Sequence, residues 1–124
     1  MIHKISGISA PEIEQKTKPF KDGYIIYGCG GRLGRYGIRY LMEHEVKPLA
    51  LCDPNEDLWG KALWNYVIIS AEEAGRLYAD NNVLMVVALD GEPFVGMSEE
   101  DFQAGETFAL LDGFGFKDIA YINE

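Results

Sequence analysis

Residues 24–42 read YIIYGCGGRLGRYGIRYLM. An apolar run enters a glycine-rich turn, and the turn leads directly into a helical pattern. Tyr24, Ile25, Ile26 and Tyr27 carry no polar interruption, which suits a parallel strand over 24–28 covered on both faces. After the turn, Leu33, Gly37, Leu41 and His44 recur at three- and four-residue spacing, as do Ile38 and Met42. That pattern predicts a helix over 33–45. A second apolar stretch, VKPLALCD at 46–53, ends on Asp53. Strand, glycine turn, helix, strand and terminal acid are the parts of a nucleotide-binding βαβ unit.

The alternation continues downstream. Residues 54–66, PNEDLWGKALWNY, read as an irregular aromatic connection, and Val67 to Ile69 as a short third strand. Ser70 to Glu73 is a capping box opening a helix with Ala74, Leu77 and Tyr78 on one face. Asn81-Asn82 ends that helix. VLMVVALDG at 83–91 is the fourth strand and the most apolar stretch of the chain. Ser98 to Asp101 starts a further helix with Phe102, Gly105, Phe108 and Leu111 inward, and Asp112-Gly113 closes it. Asp118 to Ile122 is the fifth strand. Upstream, residues 1–22 read as a helical preface. Ser9 to Glu12 forms a capping box for a helix near Ala10, Lys18-Pro19 ends it, and Asp22-Gly23 turns the chain. Strands alternating with helices mean right-handed crossovers and a parallel sheet. The expected fold is α/β: residues 23–124 as a three-layer Rossmann-like domain with five parallel strands in the order 3-2-1-4-5.

Bulk properties bound the partners. The 124 residues make one domain, and 48% hydrophobic with 25% charged content predicts a folded chain. A net charge of −9 repels phosphate backbones and anionic bilayers, so no nucleic acid and no membrane is expected as partner. A mononucleotide stays compatible, because backbone N–H groups at a helix N-terminus hold phosphate without net positive charge. MIHKISG at the start has no apolar h-region, and no apolar run approaches the ~20 residues of a spanning helix. A cytoplasmic protein with reduced thiols is expected.

The candidate site follows from the turn. Gly28 permits the sharp exit from the strand, and Gly30 lets the backbone approach a pyrophosphate. Gly31 and Gly34 let the helix lie close on the sheet. The spacing is G-x-G-x-x-x-G, with Leu33 where the dinucleotide fingerprint has its third glycine. Asp53, about 20 residues on, can accept both ribose hydroxyls and would repel a 2′-phosphate, which disfavours NADP. The expected nucleotide-binding set is Gly28, Cys29, Gly30, Gly31, Arg32 and Leu33 in the turn, Asp53 and Pro54 after the second strand, and Ala88 and Leu89 after the fourth. The crevice where strand order reverses, at the carboxyl ends of strands one and four, should be lined by Gly28 to Leu33, Asp53 and Ala88 to Asp90. The competing reading is architectural: glycines for tight packing, and Asp-Pro-Asn as turn chemistry.

The remaining candidates are weaker. Arg32 and Arg35 stand against the positive end of a helix, so each wants an anionic partner. Either a phosphate or surface carboxylates can serve, and carboxylates are preferred for Arg35. Among Trp59, Trp64 and Tyr66 one ring could stack on a base, but packing or contact with another chain is the preferred reading. Cys29 in the turn and Cys52 near the end of the second strand should lie close, and read as two buried thiols rather than a redox pair. His44, between Glu43 and Glu45, reads as a solvated helix residue. No catalytic triad and no metal-ligand spacing is present, so no metal is expected.

The stretches YIIYGCGGRLGR, PLALCDPN, VIISAEEA and VLMVVAL together resemble the small Rossmann-like N-terminal domains of sugar- and polysaccharide-modifying proteins. These include sugar acetyltransferases of the sialic acid and bacillosamine type, some nucleotide-sugar dehydratases, and domains preceding certain sugar-associated methyltransferases. The resemblance spans about residues 23–123. It implies a nucleotide or nucleotide-sugar facing Gly28 to Leu33 and Asp53. The turn departs from that family by one extra residue. The left-handed β-helix that carries acetyl transfer in such relatives has no counterpart here, so that activity is not carried over. GCGGRLG with a following acid also resembles S-adenosylmethionine methyltransferases. Against this, Ile26 and Tyr27 stand where those enzymes place an acid, and no residues remain for their antiparallel hairpin.

The leading expectation is a binding module for a nucleotide of NAD or UDP-sugar type, working with a fused or partner catalytic domain, with homo-oligomerisation through residues 57–66 as an accompanying expectation. The alternatives are an NAD-dependent oxidoreductase or methyltransferase fragment, and an assembly or regulatory domain with an empty site.

Overall fold

The computed structural model describes residues 1–6, 11–90 and 94–123. Twelve regular elements follow in order: β1 Ile2–Ile5, α1 Glu12–Thr17, β2 Tyr24–Tyr27, α2 Arg32–Glu43, β3 Ala50–Cys52, β4 Ala62–Leu63, β5 Tyr66–Val67, α3 Ala71–Tyr78, β6 Leu84–Val87, α4 Glu99–Gln103, α5 Glu106–Gly113 and β7 Ile119–Ile122. A 3-10 turn at Glu56–Leu58 precedes β4.

Five strands form one parallel sheet in the order β1-β7-β6-β2-β3. The expected order 3-2-1-4-5 is not matched, and both differences lie at the edges. Residues 2–5, read as part of a helical preface, are a strand paired with β7, Ile2 opposite Ile119 and Ile5 opposite Ile122. The expected third strand at 67–69 does not join the sheet as a strand. Tyr66–Val67 pairs instead with Ala62–Leu63 in a separate antiparallel hairpin, and Ile69 touches the sheet through one parallel bridge to Cys52. A hairpin pairs with itself locally, whereas a parallel edge strand needs a long crossover, so the local partner wins here.

Alternation in the central strands builds the layers. Tyr24, Ile26, Leu84, Val86, Ala120 and Ile122 face α1 and α2, where Ile13, Ile38 and Leu41 cover them. Ile25, Tyr27, Met85, Val87, Ile119 and Tyr121 face the other way, onto Ala71, Ala74, Phe102 and Leu111 of α3, α4 and α5. Tyr121 stacks on Phe102 with centroids 4.3 Å apart and donates its hydroxyl to Met97 O at 2.7 Å. The result is a three-layer α/β arrangement consistent with a Rossmann-like fold.

The helices hold some surprises. Ser70 Oγ accepts from Glu73 N and Ser98 Oγ from Asp101 N, each at 3.1 Å, as the capping boxes predict. Leu77, expected inward, is exposed. The helix expected after Ser98 is two helices, because Gly105 is the N-cap of α5 rather than an inward residue. Ser9 and Gly91 lie outside the described residues; α1 begins at Glu12, whose carboxylate accepts from Ser6 N and Oγ at 2.7 and 2.6 Å. That pairing lowers the Glu12 pKa.

Candidate functional site

The candidate site lies at the carboxyl ends of β2 and β6. From β2 the chain crosses to β3 on one side, and β6 enters on the other, so the crevice between them is the topological switch point. Gly28 leaves β2 at φ 106°, and a Cβ there would press on the Ala88 carbonyl oxygen at 2.9 Å. Gly34 seats α2 on the turn: a Cβ would strike Gly28 O and lie 2.9 Å from Cys29 Cα. These two glycines hold the turn and the helix against the sheet.

The amides of the turn are all committed within the chain. Gly28 N and Cys29 N donate to Cys52 O at 2.9 and 3.2 Å, and Gly31 N donates to Gly28 O at 3.2 Å. Gly30 N donates to Asp53 Oδ2 at 2.8 Å. Arg32 N and Leu33 N, at the start of α2, donate to the two oxygens of Asp90, each at 2.7 Å. Gly31, the N-cap, has no side chain to cap the helix, so Asp90 supplies a carboxylate from the end of the neighbouring strand. A Cβ on Gly31 would meet Asp90 Oδ2 at 2.8 Å, so that glycine admits the carboxylate. The position where a pyrophosphate was expected is therefore held by carboxylates of the chain itself.

Asp53 is 6% exposed. Besides Gly30 N, it accepts from Asn55 N at 2.9 Å, and its backbone carbonyl accepts from Trp59 Nε1 at 2.7 Å. Cys29 and Cys52 are buried free thiols in opposite layers of the core. Burial, and then the nearby negative charge, push both up to about 12. Tyr27 is raised by burial and by Asp53.

Three clefts open around this turn. The largest, about 630 Å³, runs along α2 between Gly30, Arg32, Arg35, Arg39 and the hairpin residue Trp64. It collects three of the four arginines of a chain with net charge −9. Tyr36, 58% exposed, stands beside them. A second cleft of about 440 Å³ lies between Arg32, Leu33, Leu89 and Asp90 and the Phe94–Val95 segment. A third, about 260 Å³, is lined by Tyr27, Asp53, Pro54 and Trp59 on the α3–α5 side.

The expected site residues thus separate. Gly30 and Arg32 line the first cleft, Arg32, Leu33 and Leu89 the second, and Asp53 and Pro54 the third. Gly28, Cys29 and Ala88 are buried beneath the turn, and Gly31 is packed against Asp90. Arg39, Tyr36 and Leu63 were not anticipated. The signal was present: 32, 35 and 39 follow the i, i+3, i+7 stripe of a helix, opposite the buried Gly34, Gly37, Ile38 and Leu41. Asp90 had its own signal, since a helix beginning Gly-Arg-Leu needs an acceptor from elsewhere. Arg35 has no carboxylate partner among the described residues, against the preferred expectation, while Arg39 pairs with Glu43 at 3.1 Å.

No group of three metal-ligating side chains comes together among the described residues, and no helix there is long and apolar enough to cross a membrane. Compared with protein-family models, curated proteins and solved structures, the chain matches none.

Proposed function

We propose that this domain binds a nucleotide or nucleotide-sugar, of UDP-sugar or NAD type, in the cleft along α2, with the phosphates on Arg32 and Arg35. The observation that carries the reading is the concentration of three arginines and an exposed tryptophan on one cleft of an acidic protein, at the edge where nucleotides bind α/β sheets. Arginine presents planar paired donors that match phosphate oxygens. The resemblance of the turn and strand motifs to the N-terminal domains of sugar-modifying proteins points the same way. In this reading the phosphates meet side chains rather than backbone amides, because Asp53 already occupies Gly30 N in the turn and Asp90 the first amides of α2. Chemistry on the ligand would fall to a fused or partner domain.

Calorimetric titration with a UDP-sugar and with NAD tests this. At least one should bind, and raising salt should weaken it, since exposed charge pairs are screened. The double variant Arg32→Gln, Arg35→Gln should lose at least tenfold in affinity while melting as the wild type does. Undiminished affinity in that variant sinks the reading.

A second reading is an assembly domain. Trp59 and Trp64 are 43% and 44% exposed in the segment expected to mediate association, and Val67 just beyond it is 60% exposed. A concentration-dependent dimer in light scattering that Trp59→Ser disrupts would favour it.

A further inference from the structure

The β4–β5 hairpin closes through Trp64 and Asn65, with φ of 52° and 67°, between the paired residues Leu63 and Tyr66. Two left-handed residues in a two-residue hairpin loop correspond to the type I′ turn, which Asn-Gly adopts readily. A bulky tryptophan at φ above zero is a conformational outlier. The flanks of the loop hold it in place. Leu63 and Tyr66 pack on the α2-side core, and the Tyr66 hydroxyl donates to Pro48 O at 2.6 Å. Gly60 N donates to Ile68 O and Ile68 N to Lys61 O, each at 2.8 Å.

Trp64 itself gains little from this. It stays 44% exposed, and its indole N–H has no acceptor among the described residues. Trp59, in the same connection, commits its indole N–H to the Asp53 carbonyl. Strained backbone at a ring left this exposed is characteristic of ligand clamps and other working positions. Trp64 lines the same cleft as Arg32 and Arg35.

We infer that Trp64 is the stacking platform of this cleft: its indole takes the flat ring of a ligand whose paired phosphates lie on the arginines, which makes the ligand class a nitrogenous base carrying a diphosphate. The inference rests on the nucleotide reading above and adds to it the group that selects the ring. Stacking reads the face of a base and not its edge, so purine and pyrimidine diphosphates both qualify.

The test titrates the full chain with ADP, UDP and inorganic pyrophosphate, for the wild type, Trp64→Asn and Trp64→Phe, and records a melting curve of each. The wild type should bind both nucleoside diphosphates about tenfold more tightly than pyrophosphate. Trp64→Asn should bring that ratio close to one and melt no lower than the wild type, because asparagine relieves the strained turn. Trp64→Phe should keep most of the preference. If the Asn variant retains the preference, or melts well below the wild type, Trp64 is not the platform. Pyrophosphate binding with no nucleotide advantage in the wild type overturns the role of Trp64 and leaves the arginine site standing. Binding of none of the three overturns the nucleotide reading and this inference with it. A dimer that dissociates in Trp64→Asn assigns the ring to self-association instead.

Discussion

Two neighbouring regions at the carboxyl edge of the sheet treat negative charge in opposite ways. In the glycine turn, the amides from Gly28 to Leu33 are all satisfied by the chain, four of them through a carbonyl or Asp53 and two through Asp90. One helical face away, Arg32 and Arg35 point their charge at an open cleft with no carboxylate partner among the described residues. The first region is a finished piece of architecture, and the second leaves two cations facing open space. A glycine motif locates a crevice, but the groups that recognise a ligand there are whatever the fold leaves unsatisfied.

The contrast can be broken or sharpened by substitution. The largest effect is expected at Gly34→Ala. Its Cβ would press on the Gly28 carbonyl and the Cys29 Cα, which are backbone and cannot swing aside. A loss of about 3 kcal/mol is expected in urea denaturation, at the upper end for overpacking. A variant as stable as the wild type would mean that the helix is not seated on the turn as described.

Next comes Asp90→Ala, which leaves two helix-start amides without an acceptor. About 1–2 kcal/mol should be lost, in the range of a removed N-cap. The freed amides should then bind phosphate, so inorganic phosphate should raise the melting temperature of the variant more than that of the wild type. An equal phosphate response in both proteins would show that the turn was never closed by its own carboxylate.

The buried thiols give a pH prediction. In the folded state Cys29 and Cys52 stay protonated up to about 12, while in the unfolded chain they ionise near 9.0. The unfolded state therefore releases protons first as pH rises, and stability should fall from about pH 9 upward through the folded values. Below that range the thiols should make no contribution to the pH dependence. A thiol reagent at pH 8 should leave the native protein unmodified and label two groups in denaturant. The smallest effect is expected at Glu43→Gln, which breaks the exposed pair with Arg39. Stability should change by less than about 0.5 kcal/mol, while Arg39 becomes free to reach the cleft and ligand affinity rises slightly in a titration.

The legible parts of the fold were those specified by local chemistry. β2, α2 and β6 follow from uninterrupted apolar runs and strict helical spacing, and the two serine caps follow from their capping boxes. β1 was not legible, because Ile-His-Lys-Ile carries no strand signal until β7 lies beside it. The hairpin was missed because a tryptophan, Trp64, holds the first left-handed position of its turn, although Asn65 suits the second. Gly105 fits an inward position in one long helix as well as it fits a cap between two. For the site, the turn and its glycines were readable, but the bond from Leu33 to Asp90 joins residues 57 apart in sequence, and only the folded sheet brings them together. The arginine stripe was readable in the helical spacing once Arg39 is counted with Arg32 and Arg35.

Amide and side-chain NMR shifts during titration with ADP test the central claim most directly. The account predicts that the Trp64 indole N–H and the Arg32 and Arg35 guanidinium N–H signals move first and furthest, while the backbone amides of Gly30, Gly31, Arg32 and Leu33 stay near their free positions. Large shifts concentrated on those four amides, with the indole and guanidinium signals unmoved, would contradict it.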